Sequence, residues 1–204
     1  NITRRDALRM AGGAALAGMM GPALAGRLES RTRRPNIVFI LTDDHRWDAF
    51  SCMNHPFIDT PNLDRIAKEG VMFANSFVTT SLCSPSRASF LTGQYAHTHG
   101  VVTNHTPWSN ENITFMEILK KYGYDTAFIG KWHMPGEGLP ELRGVDHFVS
   151  FTKEGGQGVY YDCPLIVDGK EIERKGKYIT EDLTDYAIDF IDKKRNNPFC
   201  LYLS

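Results

Sequence analysis

Apolar positions along the chain fall into short continuous runs separated by stretches with a helical repeat. Pro35-Asn36-Ile37-Val38-Phe39-Ile40-Leu41 ends in an unbroken apolar run, which predicts a strand buried on both faces. Thr60 to Gly70 predicts a short helix, with Thr60 as cap, Pro61 at its first position, Leu63, Ile66 and Ala67 as its apolar stripe and Gly70 as its stop. Val71 to Val78 reads as a second strand leading toward Cys83. Ser84-Pro85 opens a further helix, because a proline in the first turn gives up only an N–H that has no partner, and Gly93 stops it. Thr114-Phe115-Met116-Glu117 is a capping box ahead of Ile118, Leu119 and Tyr122, with Gly123 as stop. Tyr124 to Ile129 is strand-like. Pro164–Val167 and Lys170–Arg174 flank Asp168-Gly169 as a hairpin. Thr180 caps a helix whose Leu183, Ala187, Ile188 and Ile191 face a core, and Asn197 to Ser204 reads as a turn followed by a buried strand, which in this chain alone would be an unprotected edge or misplaced.

Strands alternating with helices predict an α/β fold, a mostly parallel sheet with helices on both faces. Ligands of such sheets sit at the carboxyl ends of the strands. Three chemical clusters follow strand candidates: Asp43-Asp44, Cys83 to Arg87, and Lys131 to His133.

Composition changes little in this picture. The chain has 204 residues, 42% hydrophobic and 23% charged, with a formal net charge of −1. Basic residues are dispersed and balanced by acids, which argues against a nucleic-acid partner. Residues 1–25 stand apart. Arg4-Arg5 precede a weakly apolar stretch, Met10 to Leu24, shorter than the ~20 residues a membrane span needs. Ala23-Leu24-Ala25 offers a small-residue cleavage site before Gly26. This is the pattern of a twin-arginine export signal, with an uncleaved anchor as the alternative. It predicts passage through an export machinery to the periplasm or cell exterior. Residues 26–34 are a polar, basic lead-in. Cys52, Cys83, Cys163 and Cys200 match no zinc spacing.

The candidate chemistry starts from residue types. Adjacent carboxylates repel, so burying Asp43-Asp44 calls for a cation, and oxygen ligands suit Ca2+ or Mg2+; taken alone, the pair reads as a turn cap. A group at Cys83 faces the positive end of a helix dipole, and Arg87, one turn on, offers a fork of donors to an anion. Lys131 and His133, two apart on an extended segment, point the same way. His45-Arg46 either shapes substrate choice or packs. His97 and His99 follow in the same region. Asn104, His105 and Trp108 either contact a sugar or form an ordinary loop.

Leu82-Cys83-Ser84-Pro85-Ser86-Arg87-Ala88-Ser89-Phe90-Leu91-Thr92-Gly93 resembles the signature of the type I sulfatases, within the alkaline-phosphatase-like superfamily. Leu41-Thr42-Asp43-Asp44 and Gly130-Lys131-Trp132-His133 match that family as well, and the resemblance covers residues 35–204. It implies that Cys83 is oxidised to formylglycine by a formylglycine-generating enzyme. It implies that Asp43, Asp44 and residue 83 bind the divalent metal, and that Cys83, Arg87, Lys131 and His133 are catalytic. Two further metal ligands, an Asp and an Asn, lie later in the family than this chain reaches. The implied reaction is release of inorganic sulfate from a sulfate ester, of a sulfated carbohydrate or an aryl sulfate. Gly100-Val101-Val102-Thr103-Asn104 resembles sulfatases acting on glucosamine 6-sulfate. A phosphonate monoester or phosphodiester hydrolase of the same superfamily, and a non-catalytic relative or fragment, are the alternatives. The expectation is that residues 35–204 are the N-terminal portion of a catalytic domain, inactive alone.

Overall fold

The computed structural model describes residues 34–136, 142–151 and 157–204. The signal-like residues 1–25 and most of the lead-in lie outside the described residues. Six strands form one sheet: β1 (Ile37–Ile40), β2 (Asp125–Ile129), β3 (His147–Ser150), β4 (Leu165–Val167), β5 (Lys170–Ile172) and β6 (Phe199–Leu203), in the order β1-β6-β2-β3-β4-β5. The pairs β1·β6, β6·β2 and β2·β3 are parallel, and β4 and β5 add an antiparallel hairpin. The α-helices among the described residues are α1 (Pro61–Glu69), α2 (Cys83–Thr92), α3 (Ala96–His99), α4 (Phe115–Lys121) and α5 (Ile179–Asp192).

Period-two alternation divides the central strands between two cores. Phe128 of β2 and Cys200 and Tyr202 of β6 turn toward α2 and α4, where they meet Ala88, Leu91, Met116 and Trp132. Ala127 and Ile129 of β2 and Phe199 and Leu201 of β6 turn the other way, onto Leu183, Ala187 and Phe190 of α5. Tyr202 is stacked between Phe39 and Phe128, at centroid separations of 4.9 and 5.0 Å. Its hydroxyl has no hydrogen-bond partner, and burial pushes its pKa up to about 12.

Several expectations hold. Thr114 Oγ1 accepts from the Glu117 N–H at 3.2 Å, capping α4. The hairpin turns at Asp168 and Gly169, with φ of 49° and 77°, the left-handed pair that a two-residue turn matching strand twist requires. Gly93, at φ 69°, ends α2, and its N–H donates to Ser89 O at 2.8 Å.

Others are corrected. The last strand is buried as expected, but it is not an unprotected edge: β6 lies between β1 and β2 and pairs with both. β1 is the edge on this side, half-buried through Ile37 and Phe39 on one face and open on the other, with Val38 46% and Ile40 57% exposed. Its continuous apolar run therefore overstated its burial. Val71 to Val78 forms no strand; it is an exposed irregular segment, so α2 does not follow a strand. The α1 stripe does not enter either core: Leu63, Ile66 and Ala67 line an open apolar hollow of about 720 Å³ with Trp47, Phe50 and Val71. The helix α5 starts at Ile179 with Tyr178 as its cap, not Thr180, and Ile188 and Ile191 face outward. The strand β3 had no counterpart in the sequence reading. No disulfide links Cys52, Cys83, Cys163 and Cys200.

Candidate active site

The carboxyl ends of β1, β2 and β6 converge on one place, as parallel sheets favour. Beyond β1 the chain carries Asp43 and Asp44, the latter at φ 47°, where a short polar side chain tolerates the left-handed turn. Beyond β2, Gly130 sits at φ 118°, and a Cβ there would lie 1.8 Å from Ser204 O. Only glycine lets the β2 exit pass this close to the end of β6. The Lys131 N–H then donates to Ser204 O at 3.2 Å, and the lysine side chain enters the site.

Lys131 Nζ donates to Asp43 Oδ2 at 2.7 Å. Arg87, buried on α2, places Nη2 at 3.7 Å from the same oxygen and donates through Nη1 to Lys131 O at 2.8 Å. Ser204 Oγ also accepts from Arg87 Nη1. Burial works against the Asp43 carboxylate. The Lys131 hydrogen bond and charge, then the charges of Arg87 and His133, outweigh it and hold the carboxyl below its usual range. Burial likewise pulls the Arg87 pKa down, opposed by Asp43, Cys83 and Asp44 among its neighbours. Arg87 Nε is buried and makes no hydrogen bond, an orphan donor that suits an incoming anionic oxygen.

Cys83 is the first residue of α2 and half-buried. The next residue is held twice. The Ser84 N–H donates to Asn104 Oδ1 at 2.9 Å, and Ser84 Oγ donates to His133 O at 2.5 Å. The six residues singled out from the sequence, Asp43, Asp44, Cys83, Arg87, Lys131 and His133, thus share one neighbourhood. One detail differs: His133 is at φ 55°, so Lys131 to His133 is not extended, and the two reach Asp43's surroundings through a bend. Ser84 and Ser204 were not singled out, and their contacts span 49 and 117 positions, which leaves no local pattern.

The remaining candidates divide. His99 is buried, with Nε2 3.0 Å from Ser89 Oγ and Nδ1 accepting from the Val101 N–H at 3.1 Å, a structural role. Trp108 packs edge-on against Trp132 at 5.5 Å. His45 stacks on Phe50 at 4.3 Å, and Arg46 pairs with Asp48 at 2.6 Å; both are exposed. His97 stacks on Tyr95 and is exposed, as is His105.

A metal fits this donor set in part. Asp43 and Asp44 supply hard oxygens to a divalent cation. Among the described residues, no group of three or more His, Cys, Asp or Glu is close enough to complete a shell.

The sulfatase family model matches residues 35–204. The chain belongs to the sulfatase family. Sulfatases of this family generally depend on formylglycine and a metal. The chain is 41% identical to an N-acetylglucosamine-6-O-sulfatase of Bacteroides thetaiotaomicron over 91% of its own length and 33% of the relative's. It is 36% identical to an ulvan-active sulfatase of Formosa agariphila, over 84% of this chain and 35% of that one. The sulfatase chain thus spans about a third of the length of the curated relatives it matches. A structure solved in complex with its substrate, D-glucosamine-2-N,6-O-disulfate, superposes with a TM-score of 0.77 at 43% identity, covering 83% of this chain and 34% of that one. A phosphonate monoester hydrolase of Agrobacterium radiobacter shares the fold, at a TM-score of 0.60 and 22% identity.

Proposed function

We propose that the protein is a sulfuric ester hydrolase acting on a sulfated carbohydrate, of the glucosamine 6-sulfate class. The observation that carries this reading is the convergence of Arg87, Lys131 and Asp43 beside the helix that opens at Cys83. Two cations and a helix N-terminus make a receptor for a tetrahedral anion. Arg87, fixed by Lys131 O and Ser204 Oγ, presents its orphan Nε without reorganising. Lys131 sits on Asp43 in the structure and neutralises charge on a bound sulfate oxygen by turning from that carboxylate. In this reading His133, whose charge reaches Asp43, gives a proton to the leaving alkoxide.

Asp43, Asp44 and residue 83 are the residues that would hold the metal, Ca2+ or Mg2+. When present, the metal supplies a Lewis acid, and a formylglycine at position 83 supplies a hydrated aldehyde with one hydroxyl to attack sulfur and another to expel sulfate. Making that formylglycine requires a formylglycine-generating enzyme as a partner. Arg4-Arg5 and Ala23-Leu24-Ala25 support export by a twin-arginine route to the periplasm or exterior, with Arg4→Lys and Arg5→Lys together expected to retain the precursor inside the cell.

The test is sulfate release by the full-length protein from N-acetylglucosamine 6-sulfate and from an aryl sulfate, beside a phosphonate monoester control. Cys83→Ala is expected to abolish turnover with the fold intact, and Cys83→Ser to be much slower. Wild-type turnover in Cys83→Ala, or hydrolysis of the phosphonate alone, would overturn the reading.

A further inference from the structure

We infer that Asn104 is a positioning residue for the nucleophile, not a sugar contact. The sequence left Asn104 as a polar loop residue open to either a sugar or no role. The structure gives its carboxamide oxygen a specific task. It accepts the Ser84 N–H at 2.9 Å across 20 positions of chain. An N–H in the first turn of a helix has no partner within its helix. Ser84 is fully buried, so water does not readily take the place of that partner. Asn104 therefore works as a helix cap supplied from a distant loop.

The placement matters because the capped residue is bonded to residue 83. Ser84 Oγ donates to His133 O at 2.5 Å on the β2 side of the site. Ser84 is thus gripped by its side chain from the His133 segment and by its main chain from the Asn104 loop. With both grips made, the peptide between residues 83 and 84 has one orientation, and the side chain at 83 leaves the helix in one direction. Asn104 also ties the Val101–Trp108 loop to the nucleophile helix. That loop is held internally by Thr103 and Thr106, whose hydroxyls lie 3.0 Å apart, and at its far end by the Trp108 N–H on Pro135 O at 3.1 Å.

The inference rests on the sulfatase reading for what residue 83 does, but not for the hydrogen bond itself, so two measurements separate them. The first is amide hydrogen exchange of the full-length protein, read at Ser84. Asn104→Ala and the shape-preserving Asn104→Leu are expected to speed exchange at Ser84 by about tenfold, the scale of one buried hydrogen bond. Asn104→Asp keeps an acceptor and is expected to retain protection. Unchanged Ser84 exchange in both Asn104→Ala and Asn104→Leu overturns the inference, whether or not the protein proves to be a sulfatase.

The second measurement is steady-state kinetics on an aryl sulfate and on a sulfated sugar. A positioning role lowers kcat by a similar factor on both, about tenfold, with KM nearly unchanged. A rise in KM confined to the sulfated sugar would mean that Asn104 binds sugar, and the inference fails. A wild-type protein that hydrolyses no sulfate ester overturns the function proposed above and leaves the exchange measurement to decide the role of Asn104.

Discussion

Lys131 and His99 show what one side chain contributes in this protein. Lys131 is buried, and its 2.7 Å bond to Asp43 places an ammonium in the pocket that the function proposed above assigns to a sulfate. Lys131→Ala is expected to lower kcat/KM by about 10²-fold or more, as loss of a charge-stabilising group does. Lys131→Arg should not restore it, because a planar fork does not replace a point charge in this space. The change in stability should stay near 1 kcal/mol, since Asp43 is partly solvated. His99 carries a different consequence. Its Nδ1 accepts the Val101 N–H, so the proton sits on Nε2, facing Ser89 Oγ. Burial lowers its pKa. The folded state then binds a proton less readily than the unfolded chain, so stability falls as pH drops through the unfolded value of ~6.5. Thermal melts from neutral to mildly acidic pH should show that loss, and His99→Gln should reduce it. Asp43, Asp44 and Lys131 were legible because each motif follows a strand end, whereas Arg87 was legible from its motif alone, since no strand precedes α2. Ser84, Ser204 and the true task of Asn104 were not, because each is defined by a partner far away in sequence.

At the scale of elements, the β2 exit is the most constrained joint. Gly130 must hold φ 118° with Ser204 O against its Cα. Gly130→Ala faces both a disfavoured backbone and a main-chain clash, and is expected to cost about 3 kcal/mol or more. Urea unfolding of the two proteins measures it; a loss under ~1 kcal/mol would mean that β6 and the β2 exit separate easily. Strands β2 and β6 were readable because both faces are buried and their apolar runs are unbroken, Ala127 to Ile129 in β2 and Phe199 to Leu203 in β6. Strand β3 was missed because only four residues, His147–Ser150, carry it, between Asp146 and Phe151. The opposite error arose at Val71–Val78, where apolar residues sit on an exposed irregular segment with no strand beside it. Composition reported hydrophobicity there; pairing, which composition does not encode, was absent.

At the scale of the molecule, one sheet separates two cores, and β1 closes only one of them. Phe39 turns inward onto Tyr202 and Phe90, while its neighbour Ile40 faces outward. In the 204-residue chain, Ile40→Lys should therefore change stability by no more than about 0.5 kcal/mol, whereas Phe39→Lys should prevent folding. Circular dichroism melts of the two variants distinguish them. The sheet order carries a further consequence, one of timing. β6, the last of the described strands, is the partner that β1 and β2 share, and Ser204 adds to the hold on Arg87. During synthesis at ~5–20 residues per second, Cys83 emerges roughly ten seconds before β6 can insert. Until then β1, and β2 once it is made, have open edges on the β6 side, and α2 lacks the Cys200 and Tyr202 side chains it packs against. Under the function proposed above, a modifying enzyme would have that interval in which to reach an unfolded segment around residue 83. Alkylation of Cys83 should accordingly be faster in a chain ending before Phe199 than in the 204-residue chain; equal rates would show that the helix locks without its last strand.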